Sequence, residues 1–230
     1  MNMKEIIETS MKNLAENEMK RIIQDAMEEL ARNKMIFCSE GDFQYHLANA
    51  IKEQDDNLEI FLEYRRVDIC VYDKKYKKKY FIELKYKKSK LDCERNGMKY
   101  SLRNHGAQND NRHAFFKDIN KLENIEEDKL KCSFALFLTN DHLYWPEKDK
   151  KKGKEENQSL GESFCIDTKI SKGTHEYDER TKNKSEVSTA SIYIKNTYRC
   201  EWVQYLPKKD EDTNNSEFKY LLLQIPPLKK

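Results

Sequence analysis

The triplet Glu83-Leu84-Lys85 is where the residue types and their setting could perform hydrolytic chemistry. An acid two positions before a lysine means little by itself. The chain holds seven such triplets, and chance alone supplies about six in so charged a sequence. Glu18/Lys20, Asp73/Lys75, Glu127/Lys129, Asp149/Lys151 and Asp167/Lys169 fall in helical, turn or polar contexts. Glu217-Phe218-Lys219 is a rival, but its charges precede the apolar run Tyr220 to Leu223. Glu83 and Lys85 lie within the strand-like run from Tyr80 to Tyr86. The period of two puts them on one face, with Ile82, Leu84 and Tyr86 toward a core. Asp68 sits within the preceding run, Val67 to Tyr72, where hairpin pairing can bring its carboxylate beside Glu83. Two carboxylates supply oxygen ligands for Mg²⁺, with Mn²⁺ as a substitute, and the metal can polarise a phosphate and activate a bound water. Lys85 can orient that water or stabilise negative charge developing on the phosphate. Glu40, at the start of a helix, is a candidate further metal ligand, and Gln44, one turn on, a candidate to orient a ligand or water.

The elements that must position these groups are legible in the hydrophobic periodicity. Ile7, Met11 and Leu14, then Ile22, Ile23, Met27 and Leu30, predict one or two helices between Lys4 and about Arg32. Ser39, with Asp42 three residues later, is a relative of the capping box and opens a helix to about Lys52. Strands are predicted at Leu58 to Leu62, Val67 to Tyr72 and Tyr80 to Tyr86, a helix from about Ala107 to Glu123, and a strand at Phe134 to Thr139. Further strands are expected at Ser191 to Ile194, Cys200 to Leu206 and Phe218 to Ile225, extending or flanking the sheet. Thr139-Asn140-Asp141 reads as a structural turn or helix cap at a strand end.

Asp68, a gap of fourteen residues and Glu83-Leu84-Lys85, in a helix-strand-strand-strand-helix-strand order, resemble the PD-(D/E)XK, or restriction-endonuclease-like, nuclease superfamily. The strings SEGDFQYHLANAI, FIELKYK, GAQNDNRHAFFKDINKLE and FLTNDHLYW are similar to a largely uncharacterised prokaryotic branch of it. The resemblance implies an α/β fold with an αβββαβ core, in which a central mixed sheet is flanked by helices. It implies that Asp68 and Glu83 bind metal, that Lys85 assists the attack and that Glu40 is a further acidic ligand. Gln108 and Arg112 fall on the helix after the motif lysine, where the resemblance implies that they contact substrate phosphate or brace the site. Val67 stands where the superfamily name has Pro, and His113 where an aromatic Tyr is expected. The implied domain layout is an N-terminal helical segment at residues 1–36, the nuclease core at 37–145, a polar and mobile insertion at 146–190, and C-terminal strands at 191–230 completing the same domain.

Composition bounds the partners. Lys+Arg 43 against Asp+Glu 41 gives a net charge of +2, which argues against binding nucleic acid by bulk charge. Positive charge is instead local: between Lys74 and Lys90 nine lysines accompany one acid, Glu83. This run includes Lys87 and Lys88 and favours phosphate tracking. DNA is the expected partner, and RNA stays open. The five histidines lack zinc-site spacing, and the six cysteines, without a CxxC pair, suit reduced, packed thiols. No apolar run reaches bilayer length and the first residues lack the core of a secretion signal, so a cytoplasmic location is expected. The function expected is Mg²⁺-dependent DNA phosphodiester hydrolysis. One alternative is a catalytically inactive nucleic-acid-binding or defence-accessory protein. A second is an interaction module whose Ile7, Met11, Leu14, Ile22 and Met27 form a homodimer seam.

Overall fold

The structure, a computed structural model, describes residues 3–145, 164–177, 190–208 and 215–228, with side chains from residue 17 onward. It is an α/β protein. Helix α1 spans Met3–Arg32, α2 Glu40–Gln54 and α3 Gln108–Asn124. Strands β1 (Leu58–Tyr64), β2 (Val67–Asp73) and β3 (Lys78–Lys87) follow α2. The hairpin β4 (Leu91–Arg95) and β5 (Met98–Leu102) precedes α3, and β6 (Leu130–Thr139) follows it. Four short strands, β7 (Lys169–Ile170), β8 (Gly173–His175), β9 (Ile192–Ile194) and β10 (Tyr198–Arg199), lead to β11 (Trp202–Leu206) and β12 (Phe218–Ile225).

The main sheet has the order β1-β2-β3-β6-β12-β11. β3 pairs antiparallel with β2 and parallel with β6, whereas β12 is antiparallel to β6, so the sheet is mixed. β6 is central, and nine of its ten residues, from Lys131 to Thr139, are buried. Its near-continuous apolar run is what burial on both faces demands. A parallel β3–β6 pair needs a crossover, and α3 supplies it.

Each face of the sheet has its own core. Met19, Ile23, Met27 and Leu30 of α1 and Phe43, Leu47 and Ile51 of α2 pack on Ile69, Ile82, Leu84 and Tyr86. Phe115, Phe116, Ile119 and Leu122 of α3 pack on the other face with Phe81, Ala135 and Phe137. Met27 is fully buried and Ile22 packs against the same core, so these two proposed seam residues serve their own fold. The side chains of Ile7, Met11 and Leu14 lie outside the described residues.

The N-terminal segment is one continuous helix of 30 residues, within the one or two helices expected. The structure alters the expected layout in two places. The stretch after β3 forms the β4–β5 hairpin, whose turn Asn96-Gly97 has φ of 51° and 76°, as a type I′ turn requires. Residues 164–177, expected within the mobile insertion, instead bury Phe164, Ile166, Ile170 and Tyr177 against α3. These side chains are too sparse to form a periodic signal, and the core they complete comes from α3. The rest of the expected insertion, at 146–163 and 178–189, lies outside the described residues. β11 and β12 extend the main sheet as expected, whereas among the described residues β9 pairs only with β8.

Candidate functional site

Ser39 caps α2, accepting a hydrogen bond from the Asp42 N–H at 3.0 Å, while the Asp42 carboxylate accepts from the Cys38 N–H at 2.7 Å. This capping fixes where α2 begins and therefore where Glu40 points. The β2–β3 pairing ends at Ile69↔Ile82, yet β3 continues to Lys87. Past that point carboxylates take up the next two N–H groups on this edge of β3. The Leu84 N–H donates to Asp68 Oδ2 at 2.6 Å, and the Tyr86 N–H donates to Glu40 Oε2 at 2.6 Å. Gln44, one turn after Glu40, donates to the Asp68 carbonyl at 2.6 Å and to Glu63 Oε1 at 2.8 Å. Gln44 therefore holds the backbone that carries Asp68.

Glu83 and Lys85 face α3, and α3 answers each with the opposite charge. Lys121 Nζ lies 2.5 Å from Glu83 Oε1, and Lys85 Nζ lies 3.0 Å from Asp118 Oδ2. Asp118 and Lys121 are three apart on a helix, hence neighbours on one face. Rising numbers on α3 meet falling numbers on β3, as a helical crossover between parallel strands requires. Glu83 Oε1 and Asp118 Oδ2 are both buried, and neither has a hydrogen bond of acceptable direction beside its ammonium contact.

Burial and crowding set the electrostatics. Burial pushes the Glu83 carboxyl up to about 8; Lys121 opposes the rise, while Asp68 and Asp118 add to it. Burial also raises Asp68, against the Leu84 N–H, with Glu40 adding to the rise. Asp118 is raised by burial against the pull of Lys85. Burial is the largest influence on Lys85 and acts to lower it, yet Asp118, Glu40 and Asp68 together leave it raised. Lys85 is therefore an ammonium at any physiological pH. Lys87, two residues on and on the same face, is lowered by burial, and among the described residues it has no ion-pair partner.

The other expected site residues are placed elsewhere. Lys88 projects to the opposite face, where its ammonium meets the Cys38 carbonyl at 2.5 Å and lies 5.6 Å from the centre of the Tyr86 ring. Gln108 donates to Asp141 Oδ2 at 2.8 Å, and Arg112 donates to the Leu143 carbonyl and stacks 5.1 Å over Tyr144. Both tie the first turns of α3 to the segment after β6. Asn140 bonds both the N–H and the carbonyl of Ser89, and Asp141 caps the short helix His142–Tyr144, so this turn is structural. His113 is fully buried against Phe164 and Tyr177. The rival pair Glu217 and Lys219 bond each other at 3.2 Å, with Lys219 over the Trp145 ring.

The chain matches no protein-family model, no curated protein and no solved structure.

Among the described residues, no group of three or more His, Cys, Asp or Glu side chains is arranged to hold a metal ion, and no helix is long and apolar enough to cross a membrane. A groove of about 540 Å³ lined by Phe61, Tyr64, Cys70, Lys79 and Glu127 does not reach the Glu83 cluster. Asp118 and Lys121 had no signal of their own in sequence. Their significance is that α3 lies across β3, and a charged pair at i, i+3 occurs on many solvated helices.

Proposed function

We propose that this chain is a divalent-metal-dependent nuclease with a restriction-endonuclease-like core, hydrolysing DNA phosphodiesters at the Glu83 end of β3. The observation that carries the reading is the convergence of Asp68, Glu83 and Lys85 where the β2–β3 ladder ends. Buried Glu83 has an oxygen lacking any directed donor, and half-buried Asp68 adds to the rise of its carboxyl; together they form a donor set that a hard cation with water ligands would satisfy. Asp68 and Glu83 would hold Mg²⁺, with Glu40 close enough to raise Asp68 and so available as a further acidic neighbour. The metal, when bound, supplies Lewis-acid polarisation of the phosphate and a water of lowered pKa.

The chain's own groups do the rest. Lys85 stays protonated, so it acts as a fixed positive charge toward a phosphate oxygen and not as a base. Asp118 positions that ammonium. Lys87, without an ion-pair partner among the described residues, is the next cation along the same face for substrate phosphate. Lys88 faces away and contributes to packing.

Plasmid DNA incubated with Mg²⁺ or Mn²⁺ tests the reading. Wild type nicks or cuts it; Lys85→Met and Asp68→Asn do not, while their circular dichroism stays native. Asn is chosen at Asp68 because it retains an acceptor for the Leu84 N–H. Cleavage undiminished in both variants would falsify the site assignment.

One observation favours a second reading, a nucleic-acid-binding protein without catalysis: Glu83 and Lys85 are each already matched by an opposite charge on α3. DNA binding in chelator, with no turnover of duplex, branched or single-stranded DNA or of RNA in any divalent metal, would decide for it.

A further inference from the structure

We infer that Lys121 is an internal counter-cation holding the place of the divalent ion at Glu83, so that the site as folded is its closed state and opens when Lys121 swings into solvent. The inference rests on the metal reading of the site and adds to it a displaceable residue from α3.

Three observations support it. Lys121 Nζ is 2.5 Å from Glu83 Oε1, and that oxygen is buried with no hydrogen bond of acceptable direction. The ammonium thus covers the buried carboxyl oxygen that a cation would otherwise meet. The two partners also differ in freedom: the Glu83 side chain is 6% exposed and the Lys121 side chain 36%. The carboxylate cannot leave, whereas a lysine on its four-carbon stem needs only a change of rotamer. Finally, the second ion pair shows what a permanent partner looks like here. The Lys85 and Asp118 side chains are 15% and 18% exposed, so both are enclosed.

Lys121 also has somewhere to return to. It donates to the Arg66 carbonyl in the β1–β2 turn, so the closed position offers two acceptors.

The test follows Lys121 directly. The full chain is titrated with Mg²⁺ by calorimetry, and in parallel each lysine's rate of acetylation by acetic anhydride is read by mass spectrometry. Mg²⁺ binding is expected to speed acetylation of Lys121 about threefold or more, because its freed population rises with occupancy. Lys85, enclosed with Asp118, stays slow. Glu83→Gln should bind Mg²⁺ poorly and acetylate Lys121 quickly at every metal concentration. Binding heat with no gain in Lys121 reactivity overturns the counter-cation and leaves the metal reading standing. Absence of binding heat in wild type overturns both.

Discussion

Glu83 gives the sharpest quantitative expectation. In the folded protein its carboxyl is pushed up to about 8 from an ordinary value of 4.5, chiefly by burial. Below the ordinary value both folded and unfolded chains hold the proton. Between the two values only the folded chain holds it, so raising the pH favours unfolding, and above the folded value the loss is complete. At about 1.4 kcal/mol per unit, the complete loss is on the order of 5 kcal/mol. That is a large share of a typical domain stability of about 5–15 kcal/mol. Urea unfolding in chelator, from about pH 5 to about pH 8.5, should show wild type losing stability relative to Glu83→Gln, which keeps the shape and has no proton to lose. Asp68 and Asp118 are raised too and slope the same way in both proteins, so the difference between the proteins is the measurement. A difference constant within about 0.5 kcal/mol across that range would refute the claim that Glu83 is protonated in the folded state.

Two further outcomes follow from the same geometry. Asp68→Ala should destabilise by about 1–3 kcal/mol in chemical denaturation, because it strips the Leu84 N–H of its acceptor, whereas Asp68→Asn should cost less; equal losses would show that the hydrogen bond is not the cause. Lys87→Met should weaken DNA binding and reduce its salt slope by about 1, whereas Lys88→Met should leave the slope unchanged; fluorescence anisotropy against salt separates them, and a change at Lys88 alone would reverse their assigned faces.

How far the site could be read from sequence depends on how local each relationship is. Glu83 and Lys85 share a face because strands alternate, and Asp68 reaches Leu84 because β2 and β3 are consecutive, so both follow from short-range rules. Glu40 also joins at that edge, but its partner is a backbone N–H forty-six residues away, which no periodicity announces. Lys87 and Lys88 belong to one basic run in sequence, but the strand's alternation sends them to opposite faces, so only Lys87 keeps the substrate-facing role expected of both. The β4–β5 hairpin is legible in Asn96-Gly97, a pair suited to a two-residue turn. The β1–β2 connection is legible as a short polar span around Glu63 to Arg66 that suits a hairpin, but its conformation is not: Arg65 and Arg66 have φ of 52° and 65°, values that arginine seldom adopts. Arg65 bonds Glu127 and the Arg66 carbonyl receives Lys121, so tertiary contacts hold what the local sequence disfavours.

The crossover from β3 to β6 has a consequence for how the protein reaches this state. β1, β2 and β3 can associate through short turns, but β3 meets β6 only after a whole hairpin and α3 have been brought across. Closing so long a connection is entropically late. Asp118 and Lys121 arrive with that closure, so until then β3 carries Glu83 and Lys85 without their α3 partners. The two ion pairs therefore mark completion of the fold and have no part in starting it.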